Sequence, residues 1–105
     1  MEIIETSIFT RQITDLMPDE EYREFQNTLA ANPNAGKIIQ KSGGLRKVRW
    51  AVKGHGKRGG ARIVYFWFIQ RSKILLLFAY PKNVQSDLTP PQLKALKTII
   101  EGEYS

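Results

Sequence analysis

The sequence predicts an α+β domain: an antiparallel sheet of about four strands, N-terminal helices packed on one face of it, and a C-terminal helix. Two observations predict it. Helix-type spacing of apolar residues is confined to the ends of the chain, before Asn32 and after Asp87, whereas β-branched and aromatic residues crowd into two central runs, 61 to 70 and 73 to 80. Only Arg71-Ser72 separates those runs, so they pair as the arms of one hairpin. With 105 residues, 42% of them hydrophobic and 25% charged, the chain fits a single domain spanning 1–105 with a modest core of its own.

In chain order, residues 2 to 4 read as a short opening strand, and Thr6 or Ser7 caps a helical segment through Phe9, Ile13 and Met17. A second helix begins at Pro18-Asp19-Glu20-Glu21, where proline suits the first turn and three carboxylates sit at the positive end of the dipole. Tyr22, Phe25 and Leu29 recur on its apolar face, and Asn32-Pro33-Asn34 stops it. Lys37 to Gln40 is a short extended piece before the Ser42-Gly43-Gly44 turn. Leu45 to Val52 alternates: Lys47 and Arg49 share one face, Arg46, Val48 and Trp50 the other. A glycine-rich connection, 54 to 60, leads to the strand from Ala61 to Gln70, which is apolar on both faces and is therefore placed centrally, covered by helices on one side. The Arg71-Ser72 turn and the strand Lys73 to Tyr80 follow. Thr89 caps the closing helix, Pro90 fills its first position, and Leu93, Leu96, Ile99 and Ile100 form its buried stripe.

Charge is laid out in blocks. Between Phe25 and Ser86 there is no Asp or Glu but there are twelve basic residues, while the remaining segments hold all ten acids and four bases, for a net charge of +6. A segregated block of cations calls for a polyanion. Lys47, Arg49 and Arg62 project from strands, which fix direction, so they can converge on a phosphate backbone. Lys57 and Arg58 lie on the connecting hairpin. The rings at 50 and 65 to 68 read as core, leaving Tyr80, beside Pro81 and Lys82, as the aromatic candidate for the site.

Several classes are set aside. The chain has no cysteine, which excludes disulfides and suits a reducing cytoplasm. No secretory signal opens the sequence, and its longest apolar stretches, 63 to 69 and 74 to 80, fall far short of the roughly 20 residues a membrane helix needs. Gly54-x-Gly56-x-x-Gly59 precedes a strand instead of opening a helix, so it is not a dinucleotide fingerprint. His55 is the single histidine and the basic block lacks carboxylates, so any chemistry there is expected to be metal-free, with no cofactor. Attack of a ribose 2′-OH on the adjacent phosphate needs a base, cations for the developing charge, and a proton for the leaving oxygen. Clustered Lys and Arg supply the cations, and a lysine crowded by like charges, Lys47, is a candidate for the proton transfer.

The runs Gly43-Gly44-Leu45-Arg46-Lys47-Val48-Arg49, Lys53-Gly54-x-Gly56-Lys57-Arg58-Gly59-Gly60-Ala61-Arg62-Ile63-Val64-Tyr65-Phe66 and Tyr80-x-Lys82-Asn83, followed by Asp87-Leu88, resemble the RelE/HigB superfamily of type II toxins, nearest its HigB-like branch. The resemblance spans nearly the whole chain and is most specific from Gly43 to Phe66. It implies a RelE-like fold and a ribosome-dependent endoribonuclease that cuts mRNA in the A site of the 70S ribosome. It also implies a cognate HigA/RelB-like antitoxin, for this branch a helix-turn-helix protein through which alone operator DNA would be met. No membrane partner is implied.

Residue by residue, the resemblance carries the paired basic strand positions onto Lys47 and Arg49, the arginine opening the next strand onto Arg62, and a later basic position onto Lys82. Asn83 stands where RelE proper has an arginine, and no tyrosine lies near Thr89 to match the late one. Tyr80, Lys82 or the ribosome is left to move the proton. Catalytic roles are therefore expected of Lys47, Arg49, Arg62, Tyr80 and Lys82, and RNA or ribosome contact of Arg46, Lys53, His55, Lys57, Arg58 and Asn83. A non-catalytic RNA- or ribosome-binding module is the second reading of the same basic face.

Overall fold

The structure, a computed structural model, describes residues 1–52 and 60–104, the last two of these by their backbone alone. The elements are β1 (Glu2–Glu5), α1 (Ser7–Leu16), α2 (Asp19–Ala31), β2 (Lys37–Ile38), β3 (Arg46–Trp50), β4 (Ala61–Phe68), β5 (Lys73–Pro81) and α3 (Pro90–Tyr104). Among the described residues the strands form one sheet in the order β1-β5-β4-β3-β2. The α+β expectation holds. The β2–β3, β3–β4 and β4–β5 pairings are antiparallel, whereas β1 adds in parallel at the β5 edge because α1 follows it and turns back across the sheet.

Both faces of the sheet are covered. Phe9, Ile13, Leu16 and Met17 of the α1 end pack with Phe25 and Leu29 of α2 against Ala61, Ile63, Tyr65, Ile74, Leu76 and Ala79. On the other face Leu96 and Ile100 of α3 close over Leu45, Val64, Leu75, Leu77 and Tyr80. The sequence placed helices over β4 on one side; the apolar stripe of α3 supplies the other, which is why β4 can be apolar on both faces. Each buried aliphatic or aromatic side chain contributes about 1.5–3 kcal/mol, so these two layers hold the sheet in place.

Local chemistry explains the element ends. Thr6 is the cap of α1, its Oγ1 accepting from Phe9 N at 3.3 Å. Pro18 sits one position earlier than expected, as the N-cap of α2, with extended ψ of 158° and the helix beginning at Asp19. The expected two-residue turn at Arg71-Ser72 is a 3-10 turn over Ile69–Arg71 closed by Ser72 at φ 50°, which ends β4 at Phe68. Thr89 and Gln92 cap α3 reciprocally: Gln92 N donates to Thr89 Oγ1 at 3.3 Å and Thr89 N to Gln92 Oε1 at 2.9 Å.

One irregularity decides which side chains reach the α3 face. Across β4–β5 the register runs Arg62↔Tyr80, Ile63↔Ala79 and Val64↔Phe78, then shifts so that Tyr65 faces Leu76. The extra residue reverses the alternation of β5: Ile74 and Leu76 face α1 and α2, Leu75 and Leu77 face α3, and beyond the bulge Tyr80 faces α3 while Ala79 faces α1. Gln12 on α1 secures that turn of phase, its Oε1 accepting from Ala79 N at 2.8 Å. Among the described residues no helix is long and apolar enough to cross a membrane.

Candidate nucleic-acid interface

Strand alternation carries Lys47 and Arg49 of β3 to the α3 face, and the register sets Arg49 opposite Arg62 of β4 and Arg62 opposite Tyr80 of β5. Three functional candidates thus form one row across three strands, about 5 Å apart per strand. Lys47, two residues back on β3, lies beside the row. Two arginines directly opposite each other repel, a cost of a few tenths of a kcal/mol or more that a purely structural sheet would avoid. The Asp87 carboxylate feels both charges.

Two grooves meet at Arg49. One, about 550 Å³, runs along β2 and is lined by Ala35, Lys37, Ile38, Ile39, Gln40, Lys47, Val48, Arg49 and Asp87. The other, about 580 Å³, is lined by Arg49, Trp50, Ala51, Val52, Gly60, Arg62 and Lys82. Together they form an open track with Lys47, Arg49, Arg62 and Lys82 along it, matching a polymer backbone better than a small enclosed ligand. Arg62 is 4% exposed and its Nη1 donates to Ala61 O at 3.4 Å, so its guanidinium is set into the floor of the track.

Tyr80 is nearly buried, and its hydroxyl donates to Ser86 O at 3.5 Å. Burial pushes its pKa above the ordinary tyrosine value, the Asp87 charge pushes the same way and Arg62 opposes both, so the phenol keeps its proton at neutral pH. No role was expected of Asp87, which stands in the sequence as half of the Asp87-Leu88 pair. In the structure its carboxylate accepts from Lys47 Nζ, and it lies at the junction of the cationic row. Hydrogen bonding to Lys47, then the charges of Lys47, Arg49 and Arg62, hold its pKa below the usual carboxylate value. Lys47 therefore stands against an anion as well as among cations, contrary to the like-charge environment expected for it. The signal that could have found Asp87 is its place: it is the first acid after the acid-free block, two residues before the Thr89 cap.

Of the remaining predicted contacts, Lys82 and Asn83 are exposed at the end of β5. Arg46 points to the opposite face, where its Nη1 donates to Gly36 O at 2.8 Å and its guanidinium lies 5.9 Å from the Trp67 ring, so the structure does not bring it to the row. Lys53, His55, Lys57 and Arg58 lie outside the described residues. Among the described residues no group of three His, Cys, Asp or Glu could hold a metal ion.

The β2 side of the track is positioned from the core. Tyr65, fully buried, donates to Pro33 O at 2.6 Å and accepts from Gly36 N at 2.9 Å. A Cβ on Gly36 would stand 2.8 Å from the Tyr65 ring and 3.0 Å from the Lys47 backbone, so only glycine lets this segment lie so close.

The family model described as the RelE toxin of the RelE / RelB toxin-antitoxin system matches residues 1–103. The crystal structure of the isolated RelE toxin of E. coli is similar over 93% of this chain and 97% of that one, with a TM-score of 0.52 and 11% sequence identity. At that identity the likeness concerns the fold.

Proposed function

Since the chain belongs to the RelE toxin family, we propose that it inhibits translation as a ribosome-dependent, metal-independent endoribonuclease that cuts mRNA in the A site. The observation that carries this reading is the row Arg49–Arg62–Tyr80 with Lys47 beside it, on one sheet face along an open track. Arg49 and Arg62 hold the scissile phosphate and meet the charge that grows as the 2′ oxygen attacks. Lys47 and Lys82 neutralise the flanking phosphates. Tyr80 keeps its proton at neutral pH and donates to the leaving 5′ oxygen, while the proton of the attacking 2′ hydroxyl passes to solvent water, giving a 2′,3′-cyclic phosphate.

The Gly43 to Phe66 motif supports placement on the HigB-like branch, and with it a helix-turn-helix antitoxin that neutralises the toxin and carries it to operator DNA. The cytoplasm, where ribosomes are, is the corresponding location. The test is purified chain added to 70S ribosomes with a defined codon in the A site, read by primer extension. Cuts at the A-site codon are expected, reduced about a hundredfold by Arg49→Ala. Uncut mRNA would leave only a docking module, and cutting undiminished by that change would remove Arg49 from the site.

A further inference from the structure

The cationic cleft carries an anion of its own. Asp87 lies on the connection from β5 to α3, and its backbone is held there: Gln85 Nε2 donates to Asp87 O at 2.9 Å and also to Gln92 Oε1 at 2.9 Å, beside the α3 cap. Its side chain is not enclosed. The carboxylate that accepts from Lys47 Nζ belongs to a side chain 74% exposed, against 24% for Lys47. The lysine side chain is therefore mostly enclosed by the wall, and the more exposed carboxylate meets its ammonium from the solvent side, where an RNA phosphate must also approach.

A carboxylate and a phosphodiester both carry one negative charge and offer two oxygens to a cation. They compete for Lys47, and at contact distance they repel. We infer that Asp87 is a specificity-determining residue: its carboxylate fills the phosphate subsite at Lys47 in the free protein, and RNA gains that subsite only by displacing it. This rests on the reading of the row as an RNA site. Displacement strips away little packing, since Asp87 is exposed, but it forfeits an ion pair. A free strand must meet that cost and the loss of its own freedom together; an mRNA already held by the ribosome has lost its freedom beforehand. The internal anion thus weights the chain against free RNA and towards RNA presented in place.

The test is the affinity of the full chain for a short single-stranded 2′-O-methyl RNA, which cannot undergo 2′ attack, at fixed salt. Asp87→Asn is expected to tighten binding about fivefold. Glu101→Gln, an equal change in net charge on the exposed side of α3, is expected to leave it within about twofold. In a Lys47→Ala background the tightening by Asp87→Asn is expected to shrink to less than about twofold. Unchanged or weaker binding by Asp87→Asn, equal tightening by Glu101→Gln, or an effect that persists undiminished without Lys47 would each overturn the inference. Because the probe is never cut, these outcomes are independent of nuclease activity: wild-type protein that cuts mRNA but shows no Asp87 effect refutes the internal anion alone, and the reverse refutes the nuclease reading alone.

Discussion

Arg49 and Arg62 face each other across β3 and β4, and on the proposed reading that pairing is the trace of function at the level of single residues. The shared face of Lys47 and Arg49 was legible because strands alternate, once Leu45 to Val52 is a strand; the register that sets Arg49 opposite Arg62 was not. For Asp87 only its place just after the acid-free block was legible, because nothing local to a residue in a connection says which wall of the cleft it will meet. The tyrosines make a prediction of their own. Tyr22 donates to Glu5 Oε2 at 2.5 Å, and burial, then that hydrogen bond and the Glu5 charge raise its pKa above the ordinary value of 10.0; Tyr80 is raised as well. A raised folded-state pKa gives stability that is complete below the unfolded value, about 10, and is lost as pH climbs towards the folded one. Melting temperature should accordingly hold from neutral pH to about 9 and fall above about 10, and Tyr22→Phe should flatten the fall; a decline centred near neutrality would contradict this assignment.

The elements show how the fold serves the row. Without the bulge, strict alternation would turn Tyr80 towards α1 and set Ala79 in the row instead, so one extra residue in β5 decides whether a phenol faces the cations. That device cannot be read from Ile74 to Tyr80, a continuous apolar run in which either phase looks equally buried. The α3 cap, by contrast, was written plainly in Thr89-Pro90-Pro91-Gln92. The connection from α2 to β2 gives a sharper test. Gly36→Ala forces a methyl group against the Tyr65 ring and the Lys47 backbone, and overpacking of this kind costs about 1–3 kcal/mol. Denaturant unfolding should show that loss with an unchanged m-value, and it should lower activity as well, since the same segment forms the β2 wall of the track. A neutral Gly36→Ala would mean that the wall yields freely.

Over the whole molecule, charge and layers are arranged together: the acids of α1 and α2 lie on one side of the sheet, and Lys47, Arg49, Arg62 and Lys82 gather on the other. The block of twelve bases announced a polyanion from the sequence, and the sheet gave it direction. Four phosphate contacts on a single strand imply a loss of RNA affinity of about fiftyfold between 50 and 200 mM salt. A flat titration would remove the electrostatic basis of the site. What charge alone does not say is whether RNA is held or cut, and that is the central question. Mapping mRNA 5′ ends after brief induction answers it most directly: new ends at a fixed position within codons are expected with the wild-type chain and their loss with Arg49→Ala, whereas an unchanged set of ends in cells that make folded protein would contradict the nuclease reading.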